Sequence, residues 1–392
     1  MQFVIFGLTL SSSWGNGHAT LWRGLLKALA LRGHTAIFYE KDVSYYRDTR
    51  DGWEAPTGVR LRLYAALPDV VGEVRRELAE ADVAMVTSYC PDGAAVSRLV
   101  LDSPARVKVF YDLDTPVTLD ALRSGAPVTY LPQGGLGGFD VVLSYTGGRA
   151  LDELQSRLNA QRVAPLYGWV DPEIHCPADP VEEFRSTLSY LGTYAADRQP
   201  ALMELFVQPA HARTDDRFVI GGAQYPQDFP WAENIYFVRH MPPWMHPAFF
   251  CSGRATLNVT RRAMADYGFC PSGRLFEAAA CGTPILTDTW EGLDTFFTPG
   301  TEVLPVSNTA DVLQAISVSD AELRAIGKAA RERTLAEHTA SSRAEGLERI
   351  LESTYGGNFN PHLRLSRGDE EAYVGNHSSS RRGQQNPTAR IF

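Results

Sequence analysis

The sequence predicts an α/β protein built from two parallel-sheet units facing each other across a cleft. Three observations carry this expectation. Short apolar runs alternate with amphipathic segments through the first half of the chain. The same alternation restarts near Leu188, after the Gly- and Pro-rich stretch Gly168-Trp169-Val170-Asp171-Pro172 with further prolines at Pro177 and Pro180. And 392 residues are long for one domain but comfortable for two.

Taken in order, residues 2–8 read as a buried first strand. The loop Ser11-Ser12-Ser13-Trp14-Gly15-Asn16-Gly17-His18 follows it. It opens a helix whose Leu21, Leu25, Leu26, Leu29 and Leu31 share one face, and Gly33 stops that helix. Thr35 to Tyr39 reads as the next strand, with further strands over residues 60–64, 83–87, 107–111 and 140–144. In the second unit, Leu188 to Leu191 reads as a strand, then the turn Gly192-Thr193 and a helix from about Arg198. Residues 218–222, 235–238 and 283–288 supply more strands, and residues 320–352 read as two amphipathic helices. The repeat is architectural, without the short period of a solenoid. The expected division is residues 1–170 and 171–335 as two Rossmann-like domains, 336–355 as a helix packing back on the first, and 356–392 as a disordered Ser-, Asn-, Gly- and Arg-rich tail.

Composition excludes several classes. A formal charge of −9 argues against a nucleic-acid binder, which needs a basic surface. The five cysteines show no CxxC spacing and their odd number suggests no disulfide framework, so a reducing cytoplasmic setting is expected. No apolar run is long enough for a membrane helix, and the N-terminus reads as a strand rather than a leader. His240 and His246 lie near Pro-rich loops without a carboxylate or cysteine at ligand spacing, so no metal site is expected; nor is a cofactor.

The most informative stretch runs from Gly268 to Pro284. Pro271 and Ser272 suit a helix start and Gly282 a helix stop. The free N–H groups and dipole of such a helix, at the end of a sheet facing a cleft, favour an anion such as a diphosphate. Glu277 lies within this short apolar helix on nearly the same face as Ser272 and Gly273, where a carboxylate can accept from both hydroxyls of a ribose. In the first unit, His18 follows Gly15-Asn16-Gly17 at a helix start. An ordinary imidazole titrates near neutrality, which suits a general base. Asp112 and Asp114 end the strand Val107–Tyr111, where open α/β sheets face their ligands, and either could orient a histidine or bind acceptor hydroxyls.

The run from Tyr236 to Gly300 resembles the donor domain of CgeB-like glycosyltransferases, related to glycosyltransferase family 4-type enzymes of GT-B fold. The residues that carry the resemblance are Arg239-His240-Met241-Pro242-Pro243, His246-Pro247, Leu257 to Arg261, Pro271 to Pro284, and Trp290-Glu291-Gly292-Leu293-Asp294 with Phe296-Phe297. In the first half the matches are Asp112 to Pro116 and the Gly-rich first loop. The resemblance implies metal-independent transfer of a sugar from a UDP-, GDP- or dTDP-linked donor, bound by the second domain, to an acceptor on the first. The acceptor's identity stays open among a glycan, a protein, a lipid-linked intermediate and a small molecule. It implies Glu277 as the ribose carboxylate, and Ser272, Gly273 and Arg274 as the diphosphate-binding helix start. Gly192 and Thr193 match the donor domain's first glycine turn, and Arg239, His240 and Met241 the loop that meets the nucleobase. Arg198 and Arg261 are cationic candidates for the diphosphate. Related inverting folds carry a histidine where His18 stands. Retaining family 4-type enzymes often carry a Glu eight positions before the ribose carboxylate, where this chain has Phe269. A nucleotide-sugar epimerase or hydrolase of the same fold, or a non-catalytic nucleotide-sugar binder, is the alternative.

Overall fold

The computed structural model describes residues 1–15 and 17–356, so the expectation for the tail beyond Gly356 falls outside the described residues. Two all-parallel sheets organise the chain. In the first, β1 (Gln2–Gly7), β2 (Thr35–Lys41), β3 (Val59–Tyr64), β4 (Val83–Thr87), β5 (Val107–Asp112), β6 (Val141–Ser144) and β7 (Val163–Pro165) lie in the order β3-β2-β1-β4-β5-β6-β7. In the second, β8 (Ser186–Leu191), β9 (Phe218–Gly222), β10 (Ile235–Arg239), β11 (Gly253–Asn258), β12 (Ile285–Thr287) and β13 (Leu304–Pro305) lie in the order β10-β9-β8-β11-β12-β13. The strand order reverses between β1 and β4 in one sheet and between β8 and β11 in the other. At such a switch point the loops leaving the strand ends splay apart and open a crevice for ligand.

The strands form where the sequence is apolar without alternation, because helices cover both faces of a parallel sheet. Phe3, Val4, Ile5 and Phe6 of β1 are all fully buried, and so are Leu188 and Tyr190 of β8. Three strands are absent from the sequence reading: β11, and β7 and β13, which are three and two residues long, too short to show any period. The helix expected from Arg198 begins after a tight turn at Ala196–Arg198. It runs Gln199–Leu202, widens to a π segment over Met203–Val207 and ends at Gln208–Ala212.

Six helices matter for the site: α1 (His18–Leu31), α2 (Thr115–Arg123), α3 (His246–Ser252), α4 (Gly273–Ala280), α5 (Asp320–Glu337) and α6 (Ala340–Tyr355). The last two start at capped serine and threonine residues. Ser319 Oγ accepts from the Glu322 amide at 3.3 Å, and Thr339 Oγ1 from the Ser342 amide at 3.2 Å. Helix α6 lies against α1, burying Ala344, Leu347 and Leu351. Arg32 pairs with Glu348 at 2.6 Å across that contact. The linker between the sheets is strapped on both sides. The Val170 amide donates to the His338 carbonyl at 3.0 Å, and the Ala340 amide to the Val170 carbonyl at 2.9 Å. Lys27 of α1 holds Asp171 at 3.0 Å and Glu173 at 2.8 Å.

Helices α4 and α5 approach backbone to backbone at Gly327, where an added Cβ would sit 2.3 Å from the Gly282 carbonyl oxygen. Alanine is the better helix former by about 1 kcal/mol, but a clash with rigid backbone in a packed interior costs about 1–3 kcal/mol. The clash should win. Gly327→Ala is expected to lower the thermal midpoint in a melting experiment; an unchanged or raised midpoint would show that α4 and α5 can part without cost.

Candidate functional site

The crevice at the end of β8 is built around one phenol. Tyr190 is fully buried, and its hydroxyl lies 3.1 Å from Arg198 Nη1 and 3.4 Å from Arg274 Nη1. Arg274 also donates to the Leu191 carbonyl. Gly192 makes this possible. A Cβ there would stand 2.6 Å from Arg274 Nη1 and 2.8 Å from the Tyr190 hydroxyl. Among the described residues neither Arg198 nor Arg274 forms an ion pair with a carboxylate, and Arg198 Nε is buried without a partner. Burial pushes the Arg198 pKa down, and Arg274 beside it adds to that. Burial would raise the Tyr190 pKa, yet the two guanidiniums bring it below its ordinary value. Two neighbouring guanidiniums with no carboxylate in ion-pair contact favour an anion in the crevice.

Ser272 caps α4 by position only; its Oγ accepts from Arg274 Nε at 3.3 Å instead of from the helix. Helix α4 therefore presents its start, with Gly273 first, to the crevice. A Cβ on Gly273 would lie 3.8 Å from the hydroxyl of Tyr145, which belongs to the first unit. Arg261 reaches Asp197 at 3.3 Å and is partly exposed, so its charge is shared. Thr193 continues the glycine turn, whose Gly192 amide donates to the Gly221 carbonyl at 2.9 Å.

One turn into α4, Glu277 meets two imidazoles. Its Oε2 lies 3.4 Å from His246 Nδ1 and 3.9 Å from His175 Nε2. Burial would raise the Glu277 pKa, but His175, His246 and Arg274 override it and bring it to about 2. His246 starts α3, and its Nε2 lies 3.2 Å from the Met241 carbonyl oxygen. His175 comes from the linker, is 1% exposed, and has no hydrogen-bond partner on either ring nitrogen. This corrects the sequence reading of His246 as a loop residue lacking ligand partners. The fold supplies both a carboxylate and a second imidazole from positions far apart in sequence.

The loop after β10 is placed differently by each of its residues. Arg239 ends the edge strand β10 and is exposed. Met241 is buried. His240 adopts a left-handed φ of 56° and its ring lies against Trp14 of the first loop, centroids 3.6 Å apart. Trp14 thus bridges the two units above the crevice.

Across the cleft, His18 Nε2 lies 3.5 Å from Asp114 Oδ2. Asp112 is fully buried behind them, its Oδ1 accepting from the Asp114 amide at 3.1 Å. The loop that carries His18 is held by Glu40 at the end of β2. Its carboxylate accepts from the Leu10 amide at 2.6 Å, the Ser11 amide at 2.9 Å and Thr9 Oγ1 at 3.1 Å. The segment before α4 is tied to the first unit as well. The Gly147 amide donates to the Phe269 carbonyl at 2.9 Å, and Thr146 Oγ1 to Cys270 Sγ at 3.0 Å. Phe269 has a φ of 45°, and its ring fills the space that side chains on Gly148 and Gly292 would need.

The structure thus gathers Gly192, Arg198, Ser272, Gly273 and Arg274 at one end of the second sheet, with Glu277 one turn deeper. It sets His18 and Asp114 opposite. The sequence reading missed Tyr190, His175, Tyr145 and Trp14. The one signal for Tyr190 is its place near the end of β8, two residues before Gly192.

Comparison with known proteins bears on the fold. Residues 198–349 match the family model described as glycosyl transferase-like. No curated protein matches the chain. Among solved structures, sucrose-phosphate synthase from Thermosynechococcus elongatus is similar with a TM-score of 0.66 at 15% identity, over 91% of this chain and 100% of that one. Anabaena HepE, solved in complex with UDP and glucose, is similar with a TM-score of 0.62 at 12% identity, over 90% of this chain and 100% of that one. The DNA-modifying enzyme β-glucosyltransferase gives a TM-score of 0.59 at 13% identity, over 91% of this chain and 100% of that one. The fold is GT-B, with a glycosyl transferase-like second lobe. Among the described residues no helix is long and apolar enough to cross a membrane.

Asp112 generates a pH prediction. Burial raises its pKa to about 6 despite hydrogen bonds that favour the charged form. An unfolded aspartate titrates near 3.9. Between those values the folded protein holds a proton that the unfolded chain has lost, so stability falls as pH rises through the window and is level above it. Asp112→Asn removes that penalty. It should stabilise the protein by roughly 2–3 kcal/mol at about pH 8 and by clearly less at about pH 4.5. Denaturant titrations at the two pH values check this; equal effects at both would mean Asp112 is not held by burial.

Proposed function

We propose that the chain transfers a sugar from a nucleoside diphosphate-sugar to a hydroxyl acceptor, with inversion at the anomeric carbon. The observation that carries the donor half is the pair of guanidiniums, Arg198 and Arg274, meeting at the Tyr190 hydroxyl beside the start of α4 without a carboxylate partner. As the bond from the anomeric carbon to the donor's terminal phosphate oxygen breaks, negative charge grows on the leaving diphosphate. Fixed cations and a helix start meet that charge without having to reorganise. Glu277 is the residue to accept from the ribose hydroxyls, and the Met241 region the place for the base. HepE was solved with UDP and glucose, and the DNA-modifying β-glucosyltransferase with uridine diphosphoglucose, which makes UDP the first nucleotide to test.

On the acceptor side, His18 takes the proton of the attacking hydroxyl. Asp114, 3.5 Å from its Nε2, orients the ring and steadies the imidazolium that forms. Phe269 at the position of the first glutamate of retaining relatives leaves no carboxylate there, which favours direct displacement. The cytoplasmic setting and the absence of a dedicated cofactor are part of the same proposal. A hydrolase of this fold would release UDP without an acceptor, whereas an epimerase would return an isomeric UDP-sugar and a binding protein would release none. Acceptor-dependent UDP release therefore separates the transferase from all three.

Two substitutions test the assignments. Glu277→Ala strips contacts to a charged acceptor worth about 1.5–3 kcal/mol each, so UDP affinity in calorimetry should fall at least tenfold. Unchanged affinity would remove Glu277 from the donor site. His18→Ala should lower kcat by a factor of about 10²–10⁴ with little change in UDP affinity. Near-normal turnover in the folded variant, or a product that keeps the donor's anomeric configuration, would displace His18 as the base.

A further inference from the structure

The carboxylate of Glu277 gathers two imidazoles, and one of them has no hydrogen bond of its own. The Met241 carbonyl oxygen, 3.2 Å from His246 Nε2, can only accept, so Nε2 carries a hydrogen. That leaves His246 Nδ1 facing Glu277 Oε2 at 3.4 Å. His175 is the residue left unsatisfied. It is 1% exposed, both its nitrogens lack hydrogen-bond partners, and its Nε2 faces the same Oε2 at 3.9 Å. Buried polar atoms left in this state are uncommon, and an ion is one of the ordinary reasons for them.

We propose that His175, His246 and Glu277 form a three-ligand site for a zinc ion. His175 Nε2, His246 Nδ1 and Glu277 Oε2 are the donor atoms, and the fourth position is left for water or a bound ligand.

The geometry is close to what zinc asks. Ligand atoms about 2.0–2.2 Å from a tetrahedral ion stand about 3.3–3.5 Å apart. The carboxylate oxygen and the His246 nitrogen already do, at 3.4 Å, and the His175 nitrogen at 3.9 Å is a small shift away. The three ligand atoms all lie within 4.8 Å of one another. They arrive on three separate elements: the strapped linker, the first turn of α3 and the middle of α4. Two imidazoles and one carboxylate select zinc over magnesium, which prefers an all-oxygen shell. His246 also shows the outer contact common in zinc sites, its second nitrogen donating to a backbone carbonyl that fixes ring and tautomer.

The site is not a diphosphate-activating metal, because the arginines occupy that end of α4. Its consequence, which rests on the reading of Glu277 as the ribose carboxylate, is to hold that carboxylate in place. One oxygen would sit on the ion while the side chain, 16% exposed, keeps an edge toward the crevice. It would also tie the donor lobe to the linker through His175.

The experiment uses untagged full-length protein, stripped with a chelator and titrated calorimetrically with zinc alone. One ion per chain is expected, with affinity at least tenfold weaker in both His175→Ala and His246→Ala. Cobalt(II) in place of zinc should show the visible d–d bands of a four-coordinate ion in the wild-type chain and not in the variants. His175→Gln and His246→Asn repeat the test with side chains of similar size should either alanine variant fail to melt cooperatively. UDP binding is titrated separately. Normal UDP binding with no stoichiometric zinc overturns the metal site and leaves the donor reading standing. Zinc binding as tight in the histidine variants as in the wild type overturns it too, as does a cobalt spectrum of six-coordinate type. Lost UDP binding in Glu277→Asp with zinc retained would instead bear on the donor role alone, and stoichiometric zinc there supports the site.

Discussion

Two guanidinium groups pointing at one buried phenol set the terms for the second lobe. Arg198 and Arg274 repel each other, and the Tyr190 hydroxyl accepts a hydrogen bond from each without cancelling either charge. Holding both there requires a strand end with no side chain in the way, and Gly192 provides it. It also requires that α4 begin at that spot, so that Arg274 can reach back to the Leu191 carbonyl. The strand end, the glycine and the helix start are thus one device. Its excess positive charge is stable only while the rest of the lobe is rigid enough to keep the two cations from swinging into solvent.

The rigidity comes from packing around α4. Leu275, Phe276, Ala278, Ala279 and Ala280 are all buried, and α5 lies against the same helix closely enough that its Gly327 touches backbone. On the other side, the segment from Asp266 to Cys270 is fastened to the first lobe through Phe269 and Cys270. The donor helix is therefore held by both lobes at once. This is why a residue such as Phe269, which carries no chemistry itself, takes a left-handed conformation and fills the space between two glycines. In the proposed transfer the anomeric carbon has to sit between His18 and the leaving phosphate to within fractions of an ångström, and these ties hold the start of α4 against the first lobe.

The first lobe uses carboxylates in three different ways. Glu40 is buried and spends its charge on loop amides and hydroxyls, shaping the turn that precedes His18. Asp114 is partly exposed and faces His18 directly. Asp112, between strand and turn, is buried with its pKa raised, a cost in stability carried by the folded state. Local environment, not residue type, separates these roles.

The sequence by itself determined the two sheets, the position of α4 and the pairing of Ser272 with Glu277 on one short helix. Each of these is written in local pattern: apolar runs, a Pro-Ser start, a Gly stop. It also pointed to His18, Asp114 and the glycine turn at Gly192, because strand ends in parallel sheets face the crevice wherever they occur. What only the tertiary structure decided are the contacts made by residues distant in the chain. Arg198 and Arg274 become one cation pair because β8 and α4 meet, and Arg261 leaves it for Asp197. His175 and His246, unremarkable in sequence, converge on Glu277 because linker, α3 and α4 cross at one point. Trp14 finds His240 only when the lobes face each other. Periodicity records which face of an element is buried, but not which element it is buried against.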